Sequence, residues 1–122
     1  MMRHEIFTNP QGLIEIKFRG ELNFKDNLEI GKKILSLTTA IQDQGGVAKL
    51  LVDFTDLTGR NPLTVRLNIA IIKDLEFVKI AGFGAAEEVV KDLEVITTET
   101  KTKDRLRLFP DRAAAEAWLQ KN

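Results

Sequence analysis

Leu50, Leu51 and Val52 form an apolar run without alternation, closed by Asp53 and flanked by segments of helical period. A strand with one wet face alternates apolar and polar residues, so an unbroken run belongs to a strand covered on both faces. Strands of that kind pair in parallel, and parallel neighbours need a long crossover, usually a helix. This short run therefore points the chain toward α/β architecture.

The rest of the pattern agrees. His4 to Thr8 is short and partly alternating, with Ile6 its clearest inward residue, and Asn9-Pro10-Gln11-Gly12 is turn chemistry. Leu13 to Arg19 alternates Leu13, Glu15, Lys17 and Arg19 against Ile14, Ile16 and Phe18, the pattern of a half-buried strand beside the first. After a loop over Gly20–Asn23, Ile30, Ile34, Leu37 and Ile41 share one face of a helix from about Lys25 to Gln44. Gly31 borders that face and lets the helix approach the sheet, and Gly45-Gly46 ends it.

Val47–Phe54 is the central strand and Thr55–Arg60 a polar loop. Asn61 as N-cap and Pro62 as first residue start a helix that runs to about Glu76. Phe77–Phe83 is a further strand, Ala85–Leu93 a short helix, and Val95–Thr102 a strand or a loop. Arg105–Phe109 is the last strand, and Pro110-Asp111 caps a terminal helix with Ala115, Trp118 and Leu119 inward. The expectation is a single α/β domain over residues 1–122, with a mixed, mainly parallel five-stranded sheet and about four helices.

Composition narrows function by subtraction. There is no Cys and no Tyr, one His (His4) and one Ser (Ser36), the latter in mid-helix. Thiolate chemistry and Cys-ligated metals are excluded, and a Ser-His-Asp triad would need Ser36 and His4 on one elbow-like turn. Lys plus Arg and Asp plus Glu balance at 18 each, so the basic footprint of a nucleic-acid binder is missing. No apolar run approaches the ~20 residues of a membrane span. MMRHEIF has no signal-peptide core, so the expected location is cytoplasmic and no cofactor is expected.

In a parallel reading, the ends of the strands beginning at Leu13, Val47 and Phe77 share one edge of the sheet, where α/β ligands and partners gather. That edge carries Glu21, Asn23, Asp53, Asp56, Thr58, Gly59, Arg60, Asn61 and Thr64, with Gly82 and Gly84 as a ligand edge. Arg60 beside a helix start suits an anion, and glycines permit close backbone approach. Gly82-Phe83-Gly84 lacks the third glycine of a dinucleotide loop, and Glu87-Glu88 would repel phosphate. Asp53 and Asp56 are either turn-capping residues or a carboxylate pair suited to Mg²⁺. His4 is expected as a partly exposed strand residue, Trp118 as core, and Lys101, Lys103, Arg105 and Arg107 as a solvated edge. The second helix has surplus apolar residues, Leu67 and Ile71, which suit core packing, a homodimer surface or a ligand pocket.

Three segments carry a family resemblance: LLVDFTDLTG at Leu50–Gly59, FVKIAGFG at Phe77–Gly84, and RLRLFPDRAAAEAWL at Arg105–Leu119. Together they make the chain resemble the SpoIIAA-like proteins of the STAS and CRAL-TRIO-like fold group. The resemblance implies interaction rather than catalysis. Bacterial STAS domains of this kind act as anti-sigma-factor antagonists, switched by phosphorylation of a Ser or Thr at the helix start after the central strand. In place of their Asp-Ser-Ser-Gly-like turn, this chain has Asp56-Leu57-Thr58-Gly59, with Thr58 the nearest analogue of the modified residue. The expectation is a non-catalytic regulatory module with a protein partner; the alternative is a carrier of a small lipophilic or anionic ligand, as CRAL-TRIO domains are.

Overall fold

The computed structural model describes residues 3–60, 63–75 and 78–121. Five strands and four helices alternate along the chain: β1 (Glu5–Thr8), β2 (Ile14–Leu22), α1 (Phe24–Asp43), β3 (Lys49–Arg60), α2 (Leu63–Asp74), β4 (Lys79–Phe83), α3 (Glu87–Thr100), β5 (Leu106–Phe109) and α4 (Arg112–Gln120). The strands lie in sequence order in one sheet. β1 pairs antiparallel to β2, and β2 through β5 are mutually parallel, each connected to the next by a helix. The mainly parallel five-stranded sheet with four helices matches the sequence expectation.

Side-chain alternation divides the core between two faces. Ile14, Ile16, Phe18, Leu50, Val52, Ile80 and Leu106 pack with Ile30 and Ile34 of α1, and Ile71, Ile72 and Leu93 of α2 and α3 cover the same face. Leu13, Leu51, Ala81 and Phe83 point the other way, onto Ala115 and Leu119 of α4. The unbroken Leu50-Leu51-Val52 run thus supplies both clusters. α1 and α4 start on side-chain caps, Asn23 accepting from the Asp26 amide and Asp111 from the Ala114 amide, each at 2.8 Å, whereas α3 starts at Ala86 without one.

Five local expectations are corrected. First, β2 runs on to Leu22 and β3 to Arg60, so the expected loops at Gly20–Asn23 and Thr55–Arg60 are largely strand. The polar residues are tolerated there because the two strand ends pair with each other at the exposed rim. Second, Val95–Thr102 is mostly helix, since α3 extends to Thr100. Buried Val89, Ile96 and Thr97 keep helical spacing, and Thr97 and Thr100 satisfy their hydroxyls on the Glu94 and Ile96 carbonyls, which offsets their β-branching. Lys101 then ends α3 in the left-handed conformation, at φ 57°.

Third, β2 is not half-exposed. Glu15 is 4% exposed on the α4 face, where Arg112 grips both carboxylate oxygens and Asn9 donates a third hydrogen bond at 3.2 Å. Fourth, Arg105 is not a solvated edge residue. Its guanidinium donates to the Leu75 and Val78 carbonyls, at 2.7 and 3.3 Å, tying β5 to the connection between α2 and β4. Trp118 is half-buried and takes a cation: Lys79 Nζ sits 4.2 Å from its ring and donates to its carbonyl, helping to cap α4. Fifth, Gly31 serves a different partner from the one expected. A Cβ there would collide with the end of the Ile71 side chain, so the glycine admits α2 rather than the sheet.

Two outcomes are expected. Arg112→Ala leaves a buried carboxylate short of its counter-ion and lowers unfolding free energy by about 2–3 kcal/mol, at or just below the range for a fully buried pair because Arg112 is partly wet. A Glu15→Met/Arg112→Met double variant recovers to within about 1 kcal/mol of wild type in urea titration, since apolar replacement removes the desolvation problem. Gly31→Ala is expected to leave stability within about 1 kcal/mol of wild type, because displacing the end of Ile71 toward the adjoining space offsets the better helix propensity of Ala. A double-mutant cycle with Ile71→Ala gives a coupling of about 1 kcal/mol, because the second change removes the colliding atoms.

Candidate functional site

β3 is longer than its neighbour on one side. Its pairing with β4 ends at Asp53↔Phe83, whereas its pairing with β2 continues to Leu22↔Arg60. From Phe54 to Arg60, β3 therefore has a strand partner on the β2 side alone among the described residues. Asp53 marks the divergence: its carboxylate is buried and accepts from the Thr55 amide at 2.9 Å, the local turn-type bond expected of Asp at such a point. Gly84, at φ 74°, turns β4 away against Thr55, where a Cβ would meet the Thr55 hydroxyl.

The overhang is irregular. Between Lys17↔Asp53 and Arg19↔Asp56, β3 uses one more residue than β2, and it does so again between Gly20↔Leu57 and Glu21↔Gly59. These are β-bulges, uncommon between parallel strands, and they re-aim side chains. The second extra residue is Thr58. Thr55, Asp56 and Thr58 are exposed, Gly59 is half-buried, and Leu57 packs against the core.

The remaining expected site residues are distributed as follows. Arg60 closes β3, Thr64 is the second residue of α2, and the Asn61-Pro62 cap lies outside the described residues. Gly82 is buried within β4, and a Cβ there would meet Phe54 at 2.7 Å and Leu108 at 2.9 Å. Asp53 and Asp56 differ in environment, the first buried and the second exposed. Among the described residues no cluster of three or more His, Asp and Glu side chains is arranged to hold a metal ion.

Beside the overhang, Arg3, His4, Glu21, Asn23, Lys25, Asp26 and Glu29 line an open polar depression. His4 is a correction: it precedes β1, is 5% exposed and lies edge-on to Phe18, with centroids 5.5 Å apart. Its Nδ1 accepts from the Arg19 amide at 3.0 Å, which requires that nitrogen to be unprotonated. Nε2 faces Asp26 Oδ2 at 3.7 Å. Burial pushes the imidazole below its ordinary pKa of 6.5, outweighing the opposing pull of Asp26.

The other side of the overhang adjoins a cavity. A partly open space of about 100 Å³ lies between the sheet and the α1–α2–α3 layer. Phe18 and Phe54, stacked 5.5 Å apart, form part of its wall, with Ile30, Ile71 and Leu93 from the helices. Asn27, 2% exposed, donates to Asn68 Oδ1 at 3.0 Å on the same wall, joining α1 to α2. The sequence carried a trace of this amide pair, since Asn27 continues the buried stripe of Ile30, Gly31 and Ile34.

No protein-family model matches the chain. No curated protein matches it by sequence. Solved structures do match. A STAS-domain anti-sigma-factor antagonist protein from Planctomyces limnophilus aligns with a TM-score of 0.69 at 15% identity, over 98% of each chain. The anti-sigma factor antagonist SpoIIAA in its unphosphorylated form aligns with a TM-score of 0.67 at 16% identity, over 94% of each chain. An uncharacterised DUF3478-family protein with a SpoIIAA-like fold, from Shewanella loihica, aligns with a TM-score of 0.62 at 23% identity, over 95% of this chain and 91% of that one. The fold is that of the SpoIIAA and STAS proteins; the CRAL-TRIO half of the sequence resemblance rests on sequence alone. Among the described residues no helix is long and apolar enough to cross a membrane.

The His4 geometry has a pH consequence. The unfolded chain takes up a proton near pH 6.5, whereas the folded chain resists it, so His4's contribution to stability is complete above that pH and is lost as pH falls below it. His4→Asn keeps an acceptor near the Arg19 amide but cannot titrate. Melting temperature is expected to fall between pH 6.5 and 5 more steeply in wild type than in this variant.

Proposed function

We propose that this protein is a non-catalytic regulatory module of STAS fold that binds a protein partner through the end of β3 and the start of α2. The surface comprises Asp56, Thr58, Gly59, Arg60 and Thr64, with the sequence-expected Asn61 between them; buried Asp53 holds the turn at the base of the overhang. The observation that carries the reading is the doubly bulged β3 overhang, which presents exposed polar residues on a strand that, among the described residues, has no second strand neighbour. Bulges of this kind recur where a protein re-aims side chains for function, and a strand edge offers backbone donors and acceptors to a partner. Two of the matched structures are SpoIIAA in unphosphorylated and phosphorylated forms, and the fold likeness supports a regulatory role for this chain.

Thr58 is the residue we assign as the modifiable position. It is exposed, it is the extra residue of the second bulge, and its Asp56-Leu57-Thr58-Gly59 setting is the nearest counterpart of the antagonists' switch turn. A phosphoryl group there would add about two negative charges to an exposed rim.

Pull-down from the source lysate with wild type, Thr58→Ala and Arg60→Ala tests the surface. At least one protein recovered by wild type should be lost or reduced several-fold in a variant. Identical partner sets for all three would remove the proposed surface.

A second reading, a carrier of a small ligand, is favoured by the cavity beneath α2. Native mass spectrometry of freshly purified protein checks it: a retained small molecule supports the carrier, and a clean apo mass opposes it.

A further inference from the structure

We infer that the cavity beneath α2 is a binding site for a small, uncharged, mainly apolar molecule carrying one hydroxyl or carbonyl group. The inference rests on the carrier reading and narrows it from lipophilic or anionic ligands to one chemical class.

Three observations set the class. The first is charge. Among the described residues the wall carries no Lys, Arg, Asp, Glu or His, so an anion entering it would lose its hydration against a wall that offers it none of their charges. The second is size. At about 100 Å³ the space is smaller than the ~300 Å³ at which pockets for drug-sized ligands begin, which excludes a long acyl chain. It approaches the about 150 Å³ of an engineered apolar cavity that takes up benzene, and its partly open wall adds room at the mouth.

The third is polarity at one point. Among the described residues, Asn27 and Asn68 are the polar side chains on an otherwise apolar wall, hydrogen-bonded to each other at 3.0 Å. Whichever way the two amides are turned, the pair carries both donors and acceptors. A ligand with one hydroxyl or carbonyl can join this pair while its apolar body contacts Phe18, Phe54, Ile71 and Leu93. A purely apolar ligand gains the same contacts without the hydrogen bond. The bland alternative, a packing void pinned by an amide bridge, predicts no such preference.

Benzene, phenol and benzoate form a matched probe series for the full chain labelled at Ile, Leu and Val methyl groups. Benzene and phenol are expected to shift the Ile30, Ile71 and Leu93 methyl resonances, with phenol binding about three- to tenfold more tightly for its one added hydrogen bond. Benzoate should leave them unmoved. An Asn27→Leu/Asn68→Leu double variant, which removes both amides, should abolish the preference for phenol while benzene still binds. Leu93→Phe, with its fold checked by circular dichroism, should weaken both at least tenfold by filling the space; if it does not fold, the probe series and the double amide variant decide alone. Benzoate binding at these methyls overturns the neutral-ligand inference and leaves the carrier reading standing. Equal binding of phenol and benzene to wild type overturns the role of the amide pair. No methyl shift with any probe overturns the site itself, while retained ligand in native mass spectrometry would show the carrier reading surviving elsewhere.

Discussion

Everything in this molecule depends on β3 being paired in parallel on both sides. Parallel pairing with β2 and β4 requires crossovers, and the crossovers place α1, α2 and α3 over one face of the sheet. The opposite face then needs its own cover, which α4 supplies with Ala115 and Leu119. A strand in that position buries side chains of both parities, so Leu50, Leu51 and Val52 are all core.

The same constraint creates the two places where the sheet departs from regularity. β4 is short, so β3 outlives that partner after Asp53 and continues along β2, absorbing two extra residues on the way. The helix that leaves this overhang, α2, meets α1 where Gly31 faces Ile71 and Asn27 bonds Asn68. The candidate interaction rim and the cavity beneath α2 are thus adjacent results of one topological fact, with Phe54 taking part in both.

Element order was legible in the sequence because hydrophobic period is a local property. The change from the period of two at Leu13–Arg19 to the helical stripe at Ile30–Ile41 needs no tertiary information. Polar residues were harder to place. Glu15 reads as a solvent-facing strand residue until α4 delivers Arg112, which is 97 positions away. His4 and Arg105 changed from edge to partly or fully buried for the same reason: their partners, the Arg19 amide and the Leu75 and Val78 carbonyls, come from other elements. The Thr-rich end of α3 misled because β-branched residues prefer strands, and only the buried Ile96-Thr97 pair shows that packing overrode propensity.

Sequence alone therefore determined the class of fold, the order of its elements and the exclusion of thiol chemistry, since composition and short-range periodicity carry all three. Tertiary structure decided how far β3 extends, where its bulges fall, which charges are buried and whether space remains beneath α2. Those features are set by strand register and by helices meeting across long separations in the chain, and register and packing have no local signature.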